Sequence, residues 1–473
     1  MEIKFKQGID ENQEFLFPKK LSEYLPDSHL AKAISEIVEK LNLSSIKSKY
    51  SPLGQHAYDP KMMISLLFYG YSTGVRSSRK ISKGCEERFD FSFLSDGFKP
   101  SHDRISDFRK DNIEELKKVF RTIVLLGANM GLIKIGNIKA SIDGTKIKAN
   151  ASSKLTKDEK GIVKLFEDTE GEIKAMLEEA EKIDEEEDKK YGKENRGDEL
   201  PKELRSKLSR KAAIEKAYEK LLIQKEEMRE NIREQFEREP TEAEEKKIDK
   251  TKINITDNDA NFMKERNGVI RPNYNSQISV DEKEQFIVAN DVTMECTDVY
   301  QLVPMLENTR ENIKENPKSA KADNGYFPQL EQATKSFPIT DLYVDDKNRR
   351  KQDINMKEIK ARYNKIKYEN LKKLLTKKGE KEYKKRMHTA EPPFGNIKHN
   401  LGYRYFLLRG LEKVQGEFNL MCIGHNLNKI YHFMQKKNND IAGAVRDIGK
   451  IEGFMGDTGK NSEGIGQNFS LAM

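Results

Sequence analysis

Apolar positions in the first 130 residues recur at helical spacing. The stretch LPDSHLAKAISEIVEKL places its apolar side chains on one face of a helix, and several shorter helical patterns follow it. Turn-forming residues separate these patterns from one another, namely Gly70, Gly74, Gly97 and Pro100. The pattern predicts an all-helical N-terminal domain over residues 1–130.

The spacing of apolar residues changes from helical to alternating at residue 135. The stretch IGNIKASIDGTKIKANAS is rich in β-branched residues, which is typical of strands. Asp143 and Gly144 lie in its middle, and Asp-Gly between two apolar runs is a strong hairpin-turn signal. We therefore expect two short strands around Asp143, within residues 135–153. Asp143 is either the first corner of this turn or an acid placed for chemistry.

A long charged segment follows these strands. Residues 154–260 are composed almost entirely of Lys, Glu, Asp, Leu, Ile and Ala. This composition predicts a coiled-coil-like insertion of two long helices, broken near GKENRGDELP at residues 192–201. Such a segment is usually a solvated arm, and it contains no catalytic constellation.

Strand patterns return after the insertion. They occur in YNSQISVDEKEQFIVANDVT, KSAKADNGY and ITDLYVDD, with helical patterns between them. Strands that alternate with helices in this way predict an α/β fold, a mixed sheet covered by helices, which continues over residues 270–440. Residues 441–473 are predicted to be a weakly ordered tail.

The composition excludes several classes of protein. The chain has 473 residues, of which 36% are hydrophobic and 35% charged. Its longest uncharged apolar run, IVLLGANMGLI, is shorter than the roughly 20 residues that a membrane-spanning helix needs. The first residues lack the pattern of an export signal, so we expect a cytoplasmic protein. Three isolated cysteines without CxxC spacing argue against a disulfide framework and against a zinc site.

Basic residues are concentrated in one segment. Residues 347–386 contain 17 Lys or Arg against 5 Asp or Glu, whereas the whole chain has a net charge of +7. Interleaved tyrosines make this segment typical of a contact with a phosphate backbone, although a solvated lysine-rich helix explains it equally well. In the N-terminal domain, a predicted helix carries Arg104, Arg109 and Lys110 beside apolar anchors, which suits a helix that lies in a DNA groove.

Three acids occupy special local positions. Asp143 and Asp323 are predicted to end strands of one sheet, and Glu391 is predicted to begin a helix because Pro392 and Pro393 fit a first helical turn. Acids at the ends of different strands can converge, and ligands collect at that edge of an open sheet. Carboxylates that converge make a site for a hard cation such as Mg²⁺.

Other acids and histidines are expected to have lesser roles. Four acids are predicted to lie in turns or near the last strand, namely Asp281, Asp291, Asp345 and Asp346. A magnesium site does not need imidazole ligands. Three histidines are therefore predicted to be structural or to contact phosphate, namely His388, His399 and His425.

Four motifs together resemble a known family. They are SIDGTKIKANAS, YNSQISVDEKEQFIVANDVT, KADNGYF and TAEPPFGNIKHNLGYRYFLLRGLEKVQGEFNLMCIGHNLNK. The set resembles bacterial insertion-sequence transposases of the DDE class, whose catalytic core is ribonuclease-H-like. Residues 15–125 resemble the helical DNA-binding domain that precedes this core in one such group.

The resemblance assigns roles to individual residues. It implies that Asp143, Asp323 and Glu391 are the catalytic, metal-binding acids, and that Tyr383, Arg386 and Lys398 contact DNA. Arg386 stands one residue further from Glu391 than the family pattern expects.

The resemblance also implies a reaction and its partners. The expected function is binding of terminal inverted repeats, followed by cleavage and strand transfer with Mg²⁺, for which Mn²⁺ can substitute. The partners would be double-stranded DNA and further copies of the chain, with a dimer favoured. The alternatives are a nuclease of the same fold that does not join DNA, and an inactive DNA-binding regulator.

Overall fold

A computed structural model describes residues 20–51, 56–167, 207–265, 267–351 and 354–437. The predicted helix break at residues 192–201 and the predicted tail at residues 441–473 lie outside these residues.

The described part of the first 130 residues folds into helices. Asp59 caps one of them by accepting a hydrogen bond from the Lys61 amide, and Pro60 occupies its first turn, where a missing N–H costs nothing. Ser101 caps another through the Arg104 amide. The helices are α1 (Leu30–Glu39), α2 (Ser44–Lys47), α3 (Pro60–Ser72), α4 (Ser78–Glu87), α5 (Phe89–Leu94), α6 (His102–Asp111) and α7 (Ile113–Asn129).

A mixed six-stranded sheet forms the centre of the protein, which confirms the predicted α/β class. Its strands are β1 (Lys139–Lys148), β4 (Asn261–Lys264), β5 (Ile270–Asp281), β6 (Ile287–Thr293), β7 (Ser319–Ala322) and β8 (Asp341–Val344). The strand order is β4–β5–β1–β7–β8, and β6 also pairs with β5. Strand β5 is antiparallel to β1, β4 and β6, whereas β7 is parallel to both β1 and β8.

The hairpin predicted at Asp143 and Gly144 is wrong. Both residues lie inside the continuous strand β1, where Asp143 pairs with Ile278 and Gly144 pairs with Gln277. Gly144 is needed for close packing rather than for a turn, because a Cβ there would lie 2.2 Å from Gln277 Nε2. Pairing with β5 along nearly the whole strand therefore overrides the local turn preference.

Helices cover the sheet and follow its last strand. They are α11 (Leu302–Ile313), α12 (Leu330–Ser336), α13 (Met356–Arg362), α14 (Lys365–Leu374), α15 (Lys377–Gly395) and α16 (Leu411–Lys437). A short π-helical turn, Asn396–Asn400, continues α15.

Glu391 does not begin a helix, contrary to the prediction. Helix α15 starts 14 residues earlier and contains Pro392 and Pro393 in its last turn. A proline inside a helix leaves the carbonyl four residues earlier without its usual donor. For Pro392 this is the His388 carbonyl, which accepts a hydrogen bond from Gln285 Nε2 at 2.9 Å. A tertiary contact thus offsets part of the cost of the prolines.

The charged insertion is described in part, and it contains short strands that the sequence pattern did not predict. Strands β2 (Thr156–Asp158) and β3 (Lys252–Asn254) pair with each other. They accompany helices α8 (Glu159–Glu167), α9 (Lys207–Phe236) and α10 (Glu242–Asp249). A small apolar cluster of its own, which includes Ile162, Leu221 and Ile253, holds the insertion together.

One apolar core joins the N-terminal helices to the sheet. Helix α16 packs against α3, α7 and β6, so buried residues of all these elements form one cluster. The packing is close, because a Cβ at Gly424 in α16 would lie 2.6 Å from the carbonyl oxygen of Tyr71.

None of the described helices has the length and hydropathy that a membrane span requires.

This close approach predicts the effect of a single methyl group. We expect Gly424→Ala to lower the free energy of unfolding by about 1–3 kcal/mol, because the new methyl group must displace the α3 backbone. Urea unfolding measures this change. The control is Gly395→Ala, where no atom lies within 4 Å of the added Cβ, and which should stabilise by about 0.5–1 kcal/mol. Equal effects of the two substitutions would contradict the predicted packing.

Candidate active site

Two of the three predicted acids lie beside each other. Strands β1 and β7 are parallel and pair Ser141 with Lys321. Asp143 and Asp323 each follow two residues later, so the same register places them side by side on one face of the sheet. Asp323 directly follows β7, as predicted, and its Oδ1 accepts a hydrogen bond from the Gly325 amide at 2.7 Å.

Asp143 is paired with a cation from helix α15. Arg386 Nη1 lies 3.2 Å from Asp143 Oδ1, and the side chains are only 12% and 18% exposed. Burial raises the pKa of Asp143 to about 6, Arg386 opposes this shift, and the nearby charge of Asp323 adds to it. The site thus holds a carboxyl group that is costly to ionise, and a positive charge partly offsets that cost.

A third acid, Asp298, lies behind these two and was not predicted. It lies in the connection between β6 and α11, where its Oδ1 accepts hydrogen bonds from Asn275 Nδ2 at 2.8 Å and Gln277 Nε2 at 2.7 Å. Lys146 Nζ is 3.8 Å from the same oxygen. The sequence around Asp298 predicts only that a helix follows, so no local pattern identifies Asp298 as a residue of the site.

Glu391 is not brought into contact with the aspartates. It lies on α15, the helix that carries Arg386, but its side chain is exposed. Within the described residues, no group of three or more His, Cys, Asp or Glu side chains has the arrangement of a metal site. The structure therefore assembles the Asp143–Asp323 pair alone from the predicted triad.

The three residues predicted to contact DNA near Glu391 have partners within the protein. Tyr383 is buried, and the guanidinium of Arg349 lies 4.7 Å from the centre of its ring. Lys398 Nζ donates hydrogen bonds to Thr145 Oγ1 and to the Lys146 carbonyl, both at 2.6 Å. Arg386 pairs with Asp143 as described. Their contact with DNA therefore stays a prediction, and in the structure the three side chains contact other parts of the protein.

The predicted basic face of α6 is only partly present. Arg104 is exposed and Lys110 is half-buried. Arg109, in contrast, is 4% exposed, and its Nη1 donates hydrogen bonds to the Tyr71 hydroxyl and the Arg76 carbonyl. The prediction that Arg109 faces DNA is wrong, because the side chain joins helices inside the core.

The acids and histidines outside the predicted triad have structural contacts. Asp281 accepts from the Lys283 amide in the β5–β6 turn, as predicted. The prediction that Asp291 lies in a turn is wrong, because it lies inside β6 and pairs with Gln277 of β5. Asp346 caps a short 3-10 helix through the Asn348 amide. His425 is buried, which lowers its pKa to about 4.

Two family models match the chain. The description Transposase DDE domain matches residues 345–431, and Transposase domain (DUF772) matches residues 19–111. These matches support an insertion-sequence transposase of the DDE class. The resemblance inferred from the motifs is thereby confirmed. No curated protein and no solved structure matches the chain.

The two matches cover different parts of the chain, and only the DDE-domain match includes residues of the candidate active site. The DDE-domain match contains Glu391, Arg386 and Lys398, whereas Asp143 and Asp323 lie outside both matched ranges. The roles of these two aspartates therefore depend on the motifs and on their positions in the sheet. The N-terminal match covers helices α1 to α6.

The pKa of Asp143 predicts how stability depends on pH. In the folded protein this pKa is about 6, against an ordinary value of 3.8, so the folded state binds the proton more tightly than the unfolded chain does. The stability that this proton supplies is present at low pH and is lost as the pH rises towards 6. The shift of roughly two units corresponds to about 3 kcal/mol.

Asp143→Asn removes this titration. Without divalent metal, we expect the variant to exceed the wild type in free energy of unfolding by about 1–3 kcal/mol at pH 8 and to match it near pH 4. Urea unfolding at both pH values measures the difference. A difference in the free energy of unfolding that is the same at both pH values would show that Asp143 ionises normally in the folded protein.

Proposed function

We propose that the protein is a DNA transposase that binds the terminal inverted repeats of an insertion sequence and catalyses DNA end cleavage and strand transfer. The observation that carries this proposal is the Asp143–Asp323 pair beside helix α15, within a chain that matches two transposase domains. The mixed sheet with helices on its faces agrees with a ribonuclease-H-like core, which is part of the proposal.

The aspartate pair fits a divalent cation. Two carboxylates lie side by side at the end of parallel strand pairing, and one of them already attracts a guanidinium. Mg²⁺ binds through one or two carboxylates and retains several waters, so Asp143 and Asp323 would suffice to hold one ion. We propose Mg²⁺, for which Mn²⁺ substitutes, with Glu391 as the third acid of the site.

The metal would activate the attacking oxygen and stabilise the leaving oxygen of a phosphodiester. The protein groups prepare the site for this chemistry. Arg386 limits the repulsion between the two aspartates, and the Gly325 amide orients Asp323. Lys398 fixes α15 to β1 through Thr145, and so holds the helix that carries Glu391 against the strand that carries Asp143.

The surface that we propose for DNA consists of basic side chains on several helices. The described part of the basic segment forms α13, α14 and the first turns of α15, and many of its cations are exposed. They include Lys357, Lys360, Arg362, Lys365, Lys372, Lys377, Lys378, Lys381 and Lys384. Exposed cations on consecutive helices suit the phosphate backbone of double-stranded DNA. Arg104 and Lys110 on α6 would add contacts from the N-terminal helices.

The remaining parts of the proposal concern organisation and location. We propose a helical DNA-binding domain over residues 1–130, a catalytic core in two parts over residues 135–153 and 270–440, and an inserted arm over residues 154–260. On DNA the protein would act as an oligomer, with a dimer favoured. It would work in the cytoplasm at the nucleoid.

Substitution of Asp143 tests the proposed chemistry. We expect Asp143→Asn to abolish cleavage of DNA that carries the element's own ends, while binding of these ends stays within about threefold of wild type, because the amide keeps the shape but loses the charge that holds a cation. Gel analysis of cleavage with Mg²⁺ and a binding assay without it measure the two effects.

The matched control for Asp143 is Asp291→Asn. Asp291 is also a half-buried acid whose pKa is raised by burial, but it lies on β6, which β5 separates from β1, and its side chain contacts Gln415 and the Val292 amide. This variant should cleave like the wild type. Normal cleavage by Asp143→Asn would refute the catalytic role, and cleavage without joining of pre-cut ends by the wild type would favour a nuclease.

The contrast between Arg104 and Arg109 tests the DNA-binding helix. We expect Arg104→Ala combined with Lys110→Ala to reduce the slope of log affinity against log salt by about one unit for each phosphate that the variant no longer neutralises, with little effect on stability. Arg109→Ala should instead lower the free energy of unfolding by about 1–3 kcal/mol, because it leaves buried hydrogen-bond partners unpaired. Titration of duplex DNA at several salt concentrations and urea unfolding measure the two effects. An unchanged slope in the double variant would remove α6 from the interface.

A further inference from the structure

The face of the sheet opposite α15 carries a buried polar network. Side chains alternate along a strand, so Asp143 and Thr145 face Arg386 and Lys398 of α15 and its π-helical extension, whereas Gly144 and Lys146 face the other side. On that other side, Asn275 and Gln277 project from β5 and both donate to Asp298 Oδ1.

Gln277 connects this network to the turn that follows Asp323. Its Oε1 accepts a hydrogen bond from the Tyr326 hydroxyl, and its Nε2 donates to Asp298. Asn275, Gln277 and Tyr326 are all fully buried. Tyr326 belongs to the 3-10 helix Asn324–Gln329, which Asp323 caps. A chain of hydrogen bonds therefore runs from β5, the antiparallel partner of β1, to the segment that carries Asp323.

Two glycines bring the network close to the aspartates. A Cβ at Gly144, next to Asp143, would lie 2.7 Å from Asp298 Oδ1, and a Cβ at Gly325 would lie 3.5 Å from Asp298 Oδ2. Asp298 thus packs directly against the backbone beside both aspartates. A side chain at Gly144 would push Asp298 and Gln277 away from the strand, so the fit depends on the absence of one.

We propose that Gln277 and Asp298 are positioning residues, which act from the rear face of the sheet to set the spacing between the strand of Asp143 and the turn of Asp323. Gln277 fixes the turn through Tyr326, and Asp298 fills the space behind Gly144 and Gly325. Neither residue touches the reacting groups. The inference rests on the proposed function, because it takes the two spaced carboxylates to hold a divalent cation.

Residues outside the metal ligands that orient the ligating groups often control metal affinity by about 10–100-fold. The test therefore measures Mn²⁺ binding to the full chain by electron paramagnetic resonance, and in parallel the Mn²⁺ concentration that half-saturates DNA cleavage. The variants are Gln277→Ala and Tyr326→Phe. The second removes only the hydroxyl and keeps the ring that fills the core, so it remains informative if the first variant fails to fold.

The matched control is Asn426→Ala. Asn426 is also fully buried, and it hydrogen-bonds both the amide and the carbonyl of Ile287, but these contacts join α16 to β6 away from the aspartates. Thermal unfolding of all variants records the general loss of stability. We expect Gln277→Ala and Tyr326→Phe to weaken Mn²⁺ binding at least about tenfold. Asn426→Ala should lose stability and bind Mn²⁺ like the wild type.

The outcomes separate this inference from the proposed function. The positioning role would be overturned if both network variants bound Mn²⁺ with wild-type affinity. It would also be overturned if Asn426→Ala lost as much affinity as they do, or if the wild type did not bind Mn²⁺. Weaker binding in the two network variants alone supports it, even if no protein in the set cleaves DNA. Absence of cleavage by the wild type would overturn the proposed function by itself.

Discussion

The arrangement of the site depends on the electrostatic docking of α15 on the sheet. Lys321 of β7 is completely buried, and its Nζ donates to Glu282 Oε2 at 2.6 Å. Lys385 of α15 lies 2.9 Å from Glu282 and 2.8 Å from Glu382. Glu282 directly follows β5, whereas Glu382 belongs to α15 and lies 3.9 Å from the Lys321 ammonium. Because a buried ammonium without carboxylate partners is strongly destabilising, α15 docks in the register that adds Glu382 to Lys321 and Lys385 to Glu282.

This register determines which cation meets Asp143. Arg386 follows Lys385 directly, so the charge pairs at Glu282 also place the guanidinium at the aspartate. The sheet thus tolerates two adjacent carboxyl groups because the helix brings positive charge to one of them. Perturbed acids held by specific charge partners are concentrated at functional sites, where the cost in stability is accepted. The raised pKa of Asp143 shows this cost, because the buried carboxyl group resists ionisation even with Arg386 beside it.

The sequence was sufficient to predict features that depend on local pattern. The strands around residues 274–293, the strand that ends before Asp323 and the helices of the first 130 residues follow from spacing of apolar residues and from capping residues. Asp143 and Glu391 were assigned to the wrong local structure, and the catalytic roles that their motifs imply stay predictions. In both cases a strong local signal, Asp-Gly or Pro-Pro, was overridden by contacts with distant segments.

Long-range packing also explains the residues that the sequence could not assign. Arg109 has the same amphipathic context as Arg104, and only the approach of α3 decides that it is buried against Tyr71. Asp298 is 155 residues from Asp143 in the chain and is brought behind it by β5 and by the connection to α11. The local spacing of apolar residues predicts neither the burial of Arg109 nor the position of Asp298, because their partner residues belong to other elements.

The prolines beside Glu391 show how one turn stabilises the end of α15. Gln285, in the β5–β6 turn, donates to the His388 carbonyl that Pro392 leaves without a donor. The Gln285 carbonyl accepts from His425 Nε2, and His425 Nδ1 accepts from Asn396 immediately after α15. This pattern requires a neutral imidazole, in agreement with the pKa of about 4 that burial gives His425. The bonds form a closed path from α15 through the turn and α16 back to α15, so Glu391 lies on a helix end that is fixed on both sides of its prolines.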